Sequence, residues 1–464
     1  MIDPRLQDLL GEVGLTAPPD DEVAIVGHDP ILPNRFPVGE AAAVALAAGG
    51  VAASDLWALK TGRRQRVRVD VRHAAVSLRA SLLMRLNGGP PPPSPADGNP
   101  LVALYRCRDG RWVHVHGVFP HLAAGTMRVL ACSREPSAVA AAVARWDGQA
   151  LEDALAQARM CGAMARTAPE WQAHPQGQAL AAVPRVEIIK IAESEPEPLP
   201  AGGRPLSGVR VLDLTRILAG PTHTRTLAQY GAEVLHVTSP KLPHADIWTM
   251  DTNQGKLSAF LDLDELDDVA RARALVTEAD VFAQGYRAGS LERRGLGLEE
   301  LTKLRPGLIY VSINCYGHVG PWRERPGWEQ LAQTVTGLAV AQGVPDRPER
   351  MPVAACDYTT GYLAALGTLV ALRRRAQEGG TYHVRASLAR TGMWFASLGP
   401  TCDLGQAAGP GDPSDLTVEE DTAWGRLMHL APAVQLSETP VYWARPPVPL
   451  GTHPAAWPDG SVDP

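Results

Sequence analysis

Residues 206–314 alternate short apolar runs with helical stretches, and this alternation limits the fold more than any other feature of the 464-residue chain. The run 209–214 (VRVLDL) is short, apolar and rich in β-branched residues, which predicts a buried strand. Pro221 then opens a helical stretch that closes near Gly231, with proline in the first turn and glycine past the last. Runs 234–237 (VLHV), 279–282 (ADVF) and 308–313 (LIYVSI) predict further strands, with helical patterns at 264–278 and 298–304. Strand–helix–strand alternation of this kind predicts an α/β fold, a parallel sheet flanked by helices. Ligands of such sheets bind at the carboxyl ends of the strands. The loops after Leu214, Val237, Phe282 and Ile313 are therefore expected to hold the site.

Three Pro/Gly-rich stretches punctuate the chain: 87–100 (NGGPPPPSPADGNP), 193–205 (ESEPEPLPAGGRP) and 405–413 (GQAAGPGDP). They separate segments at about 1–86, 101–192 and 206–403 from a C-terminal tail. A net charge of −6 argues against a nucleic-acid partner, and the basic run Arg63, Arg64, Arg66 and Arg68 reads as a solvated edge. The start, MIDPRLQDLL, lacks the basic and apolar regions of a signal peptide, and the apolar run 41–53 is too short to span a bilayer. Six scattered cysteines without a CxxC pair argue against zinc and for reduced thiols, so a cytoplasmic setting is expected.

A weak internal repeat is visible. At one constant offset Val67 meets Val384, Arg68 meets Arg385, and Glu40 meets Asp357. Each copy follows an Ala/Leu-rich helical segment, at 41–53 and 358–372. Asp357 itself, in MPVAACDYTTGY, has two readings: an N-cap for the helix that follows, or a carboxylate nucleophile or base at a helix start. The loop after the first strand (LTRILAGPT) is not a dinucleotide fingerprint, and neither GxSxG nor HExxH occurs. The 284–289 loop (QGYRAG) is either an ordinary turn or a place for a phosphate or planar ring; His318 reads as a turn residue and Cys356 as a packed thiol.

The run VRVLDLTRILAGPTHTRTLAQYGAEVLHV, followed in order by NQGKLSAFLDL, ADVFAQGYRAGSLERRGLG, LIYVSINCYGHVGPW, PGWEQLAQTVTGL and MPVAACDYTTGYLAALG, resembles the family III CoA-transferases of the CaiB/BaiF type. The family includes formyl-CoA transferase and α-methylacyl-CoA racemases. The resemblance covers about 206–390. It continues out of order: NPLVALYRCRDGRWVHVHG (99–117) and 150–174 resemble the small domain that normally follows the catalytic half, and 434–453 resembles the family's C-terminal strand. The resemblance implies a Rossmann-like parallel sheet with a smaller α+β domain. It implies a degenerate half-copy at 1–97, a small domain at 98–192, a CoA-binding catalytic domain at 206–403, and a tail at 404–464 returning to the large domain. Family members are interlocked homodimers; here either one chain supplies both parts or two chains interlock.

Carried over residue by residue, Asp357 matches the catalytic aspartate, and Glu40 is its non-catalytic counterpart. Ile217 and Leu218 fall in the loop lining the CoA site, where Leu218 replaces the glutamine of formyl-CoA transferase. Lys256 matches the lysine of an NxxK stretch, Gly285 and Tyr286 replace an Asn-Phe pair near the adenine, and Arg293 matches a phosphate or adenine contact. The resemblance implies a covalent mechanism through an aspartyl anhydride and an aspartyl-CoA thioester. Acyl-CoA and carboxylate are then substrates, with no tightly bound cofactor, metal, nucleic acid or membrane involved. Racemases pair the aspartate with a histidine in a GHD-type motif; the matching stretch here is Gly327-Trp328-Glu329, which ranks a racemase or isomerase second and a non-catalytic CoA-binding subunit third. The family's glycine-rich covering loop has only a weak counterpart at 405–411.

Overall fold

The computed structural model describes residues 2–458 apart from residues 345, 402, 405, 406 and 408, so Cys402 and three of the seven residues of the weak glycine-loop candidate lie outside the described residues. A seven-stranded sheet is built from β1 (Val186–Ala192), β2 (Arg210–Leu214), β3 (Glu233–Thr238), β4 (Lys256–Phe260), β5 (Val281–Gln284), β6 (Ile309–Asn314) and β7 (Thr381–Ser387). Its spatial order is β4-β3-β2-β5-β6-β7-β1. Only β1 runs antiparallel, paired to β7 at one edge. The chain winds outward from β2 through β3 to β4, then crosses to β5 and winds the other way, which makes the β2/β5 gap a topological switch point. The four strands read from the alternation lie within two residues of these positions. β4 went unread because a polar serine interrupts its short KLSAF run, and β1 because it follows no helix of its own sheet.

Four helices matter for the site: α1 (Val38–Thr61), α2 (Ala219–Ala228), α3 (Glu329–Val335) and α4 (Ala355–Glu378). α4 is buried on nearly every side over its first five turns, as a core helix must be when apolar all round. It crosses α2 at backbone contact distance. A Cβ added at Gly361 would lie 2.7 Å from the Ala219 carbonyl oxygen, so only glycine permits this approach. Asp357, one turn earlier on α4, is thereby set beside the loop that enters α2.

The repeat extends to whole elements. α1 and α4 are each 24 residues long. The constant offset pairs Val38 with Ala355, Thr61 with Glu378, and Val71 with Leu388, where the helices after the repeated strands begin. Strand Val67–Asp70 lies between a parallel neighbour, Val23–Val26, and an antiparallel one, Val434–Leu436, as β7 lies between β6 and β1. α1 is longer than its alanine run suggested; by length and composition it could cross a membrane, yet its side chains are buried in the core, against α4 among others. After Leu436 the tail runs along the β4 edge, where the Gly255 N–H donates to the Arg445 carbonyl and the His453 N–H to that of Ser258. A separate three-stranded antiparallel sheet (Val102–Arg106, Trp112–His116, Gly162–Met164) belongs to the segment between the first two linkers.

Candidate active site

A cleft of about 550 Å³ opens at the switch point. Leu214, Arg216 and Ile217 line it after β2, Gln284–Arg287 after β5, and Ser312–Cys315 at the end of β6. Leu242, beyond β3, completes the set of strand-end loops that the alternation pointed to. The facing wall comes from the 101–192 segment of the same chain: Phe119, His121, Leu122, Arg159 and Cys161. Six arginines face the cleft against two glutamates, Glu292 and Glu324. Arg323 lies 3.8 Å from Glu324 and Arg325 3.9 Å from Glu152. The other four, Arg159, Arg216, Arg287 and Arg293, have no carboxylate partner among the described residues. A cleft with surplus guanidinium charge suits a polyanion, above all phosphate.

The cleft narrows past Ile217, Gly285, Ile313 and Trp328 into an inner chamber of about 80 Å³, bounded at its far side by Asp357. Ile217 holds φ at +74°, a left-handed conformation that a β-branched residue adopts only under constraint from its surroundings. Such strain is characteristic of loops that must present their backbone to a ligand.

Asp357 is 8% exposed and sits in the first turn of α4. It is not the N-cap; Ala354 holds that position and offers no side chain. The exposed end of the helix is capped from α3 instead. Glu329 Oε2 accepts the Asp357 N–H at 2.8 Å, and Oε1 accepts the Cys356 N–H at 3.3 Å and Gln333 Nε2 at 2.6 Å. This frees the Asp357 carboxylate, which takes no hydrogen bond or ion pair from any described residue. Burial, then the neighbouring Glu329 charge, pushes the Asp357 carboxyl well above the ordinary range. Burial pushes Glu329 up to about 7, against the hydrogen bonds it accepts. Two like-charged carboxyls this close titrate as a pair. The arrangement presents an unpartnered carboxylate, at a helix N-terminus, to whatever the cleft delivers.

A family model described as CoA-transferase family III matches residues 2–195 and 206–424. The chain belongs to CoA-transferase family III. It is 32% identical over 405 residues to an acyl-CoA transferase of Gibberella moniliformis, covering 78% of this chain and 70% of that protein. It is 33% identical to an acetyl-coenzyme A transferase (nodX) of Hypoxylon pulicicidum, covering 65% of this chain and 55% of that protein. It is 33% identical to the beta subunit of a succinyl-CoA–L-malate CoA-transferase of Chloroflexus aurantiacus, covering 40% and 49%. The chain thus spans about half the length of the latter two relatives.

Within this family III chain, Ile217, Gly285, Tyr286 and Arg293 all line the cleft. Leu218 faces the inner chamber rather than the cleft. Lys256 reaches neither, which corrects its assignment as a CoA contact. It is fully buried beneath the first loop, where Nζ donates to Asp213 Oδ2 at 3.0 Å and to the Pro221 carbonyl at 2.9 Å. Asp213 also accepts Thr215 Oγ1 and Thr224 Oγ1, both at 2.5 Å. Burial works to raise the Asp213 carboxyl, but Lys256 and these donors hold it at about 2. Lys256 therefore pins the loop from below.

Arg216, Arg287, Arg159 and the Phe119–Leu122 wall were not singled out from the sequence, although Arg216 stands in the quoted LTRILAGPT loop. His318 sits in the bend after β6. It lines the cleft 6.1 Å from His383, and burial pushes it down to about 3, so it is neutral. Burial pushes the Cys356 thiol well up, in keeping with a packed side chain.

Glu40 occupies the position equivalent to Asp357, but its carboxylate is engaged. Asp29 caps α1 as Glu329 caps α4, accepting the Glu40 N–H at 2.9 Å. The Glu40 carboxylate is tied to Arg5 at 2.6 Å and accepts the Asp29 N–H. Glu40→Gln should therefore leave turnover within about twofold of the parent and cost no more than about 1 kcal/mol, as for a partly exposed ion pair. A steady-state assay beside a thermal melt checks this, and a hundredfold loss of turnover with the fold intact would give Glu40 a catalytic part.

Proposed function

We propose that this chain transfers CoA from an acyl-CoA thioester to a carboxylic acid, with Asp357 as the nucleophile. The observation that carries the reading is an unpartnered, buried carboxylate at the end of a cationic cleft. Membership of the family and the transferase names of the relatives support it. The four arginines without a carboxylate partner would hold the phosphates of CoA, and Tyr286 would offer a ring face to the adenine. The thioester would then enter the inner chamber.

One Asp357 oxygen attacks the thioester carbonyl carbon. The C–S bond breaks, giving a mixed anhydride and CoA thiolate. The thiolate attacks the Asp357 carbonyl carbon, releases the donor acid as carboxylate, and leaves an aspartyl-CoA thioester. An acceptor carboxylate repeats these steps in reverse and departs as its CoA thioester. No proton is taken up or lost, so no general base is required; the cost lies in the two tetrahedral oxyanions of each half-reaction, which backbone donors stabilise. The racemase reading needs a second proton carrier. At the corresponding position stands Trp328, whose indole donates but does not accept. One chain supplies both cleft walls, and we read the N-terminal half-copy as standing in for a partner subunit.

The reaction is tested by incubating the protein with an acyl-CoA and the isotopically labelled free acid. Label should appear in the acyl-CoA pool. Washout of an α-deuterium without acid exchange would replace transfer with racemisation.

The coupled carboxyls set the pH dependence. Asp357 must be ionised to attack, and burial with the Glu329 charge opposes that ionisation. kcat/KM should therefore rise with pH through a limb above the ordinary carboxylate range. Glu329→Gln removes the like charge and should shift that limb to lower pH. A limb that stays in place in a pH–rate profile of the variant would uncouple the two groups.

A further inference from the structure

We propose that His116, in the 101–192 segment, is a positioning residue for the reaction: it fixes Glu329, and through Glu329 the Asp357 carboxylate. The inference rests on the transferase reading and concerns a side chain that lines neither the cleft nor the inner chamber.

α3 carries Glu329, Gln330 and Gln333, yet it is only seven residues long, and its N-cap residue, Trp328, makes no side-chain capping bond. A helix of two turns has little stability of its own, so contacts from outside must set its place. On the α4 side, Gln333 donates to the Val353 carbonyl at 3.1 Å and accepts the Met351 N–H at 2.8 Å. At the far end of α3 the Thr334 carbonyl accepts the Arg166 N–H at 3.1 Å. At the near end stands the strand Trp112–His116.

His116 is buried there. Its Nε2 donates to Gln330 Oε1 at 2.9 Å, and its ring stacks on that of Trp328, with centroids 5.6 Å apart and planes 25° from parallel. It thus grips the residues on either side of Glu329. Burial pushes the imidazole down to about 4, so the ring is neutral and carries one proton, which the Gln330 oxygen holds at Nε2. Nδ1 has no hydrogen-bond partner among the described residues, so the bond to Gln330 and the stack on Trp328 orient the ring.

The hold reaches the nucleophile in one further step. Glu329 accepts the Asp357 and Cys356 N–H groups, which leaves the Asp357 carboxylate free. A shift of α3 moves the Glu329 carboxyl, and with it both the first turn of α4 and the charge that opposes ionisation of Asp357. The titratable groups around Glu329 are Asp357 and Cys356 on α4, Cys315 after β6 and Arg350 between α3 and α4. Burial keeps both thiols protonated and the guanidinium stays charged, so loss of the hold registers at Asp357.

The test measures exchange on the full chain with acetyl-, propionyl-, succinyl- and octanoyl-CoA and their labelled acids, then follows the fastest pair in variants. His116→Ala should lower kcat by about a hundredfold, the order that a misplacement of about 1 Å costs, with KM for the acyl-CoA within about threefold of the parent. Gln330→Met breaks the same bond from α3, leaves the 101–192 segment intact, and should act in the same direction. His116→Gln keeps an N–H near the Nε2 position and should recover kcat to within about tenfold of the parent. The rising limb of the pH profile should move to lower pH in His116→Ala and Gln330→Met, as in Glu329→Gln. In a Glu329→Gln background His116→Ala should add no further shift. Activity within about threefold of the parent in both His116→Ala and Gln330→Met, or a limb that stays in place in both, would overturn the positioning role and leave the transferase reading intact. Absence of exchange by the parent with every donor would overturn the transferase reading and this inference with it.

Discussion

Asp357→Ala should lower CoA exchange by at least about a thousandfold, since every covalent step passes through that carboxyl. The fold should survive. The Asp357 side chain makes no hydrogen bond or ion pair with a described residue, and its backbone N–H to Glu329 is retained in alanine. Removing a buried charge that lies against Glu329 should leave the melting temperature unchanged or raised. The companion measurement is peptide mass spectrometry after acyl-CoA and hydroxylamine. A hydroxamate should appear on the peptide bearing Asp357 in the parent and be missing in the variant. An Asp357→Ala protein that exchanges CoA at even a tenth of the parental rate would end the nucleophile assignment.

Lys256→Met should destabilise the fold by about 3–5 kcal/mol, the usual result of stripping one partner from a buried pair. Both side chains of the pair are 0% exposed, and Asp213 would be left as an uncompensated charge under the first loop. Loss of activity should accompany it, because that loop carries Arg216, Ile217 and Leu218 into the cleft and chamber. Asp213→Asn in the same background should recover much of the stability. It removes the charge while its amide oxygen still accepts from Thr215. Urea unfolding of the three proteins decides the matter, and a Lys256→Met variant within about 1 kcal/mol of the parent would show that the pair does not pin the loop.

Much of the fold was legible because its signals are local. Buried parallel strands announce themselves as short β-branched runs, and Pro221 and Gly231 punctuate the stretch around α2. The repeat was legible only faintly in residues, yet both ends of the 24-residue helices and the starts of the helices after the repeated strands coincide at one offset. Glu40 and Asp357 show why few identities remain. Each lies in the first turn of a 24-residue helix capped by a carboxylate from elsewhere, an arrangement that depends on placement more than on residue type. Of the candidate site, Ile217, Gly285 and Tyr286 reach the cleft because they follow strand ends, where the topology gathers loops, and Arg293 reaches it from the short helical turn beyond β5. Lys256 stands at the start of a strand, and its side chain is drawn inward by the Asp213 charge.

The order of strands and helices, the positions of the candidate loops and the presence of a carboxylate at the start of α4 were determined by the sequence itself, since each depends on neighbours a few residues away. Three things were decided by tertiary structure. Glu329 arrives from 28 residues upstream to cap α4 and leave Asp357 unpartnered. The 101–192 segment closes the cleft from the far side, with Phe119, Leu122 and Arg159 brought against loops more than a hundred residues away in many cases. Gly361 lets two helices meet at backbone distance, which sets Asp357 beside the loop that enters α2. Local pattern carries no information on which distant surfaces meet; burial of apolar faces and the pairing of buried charge do that, and they act only once the chain has folded back on itself.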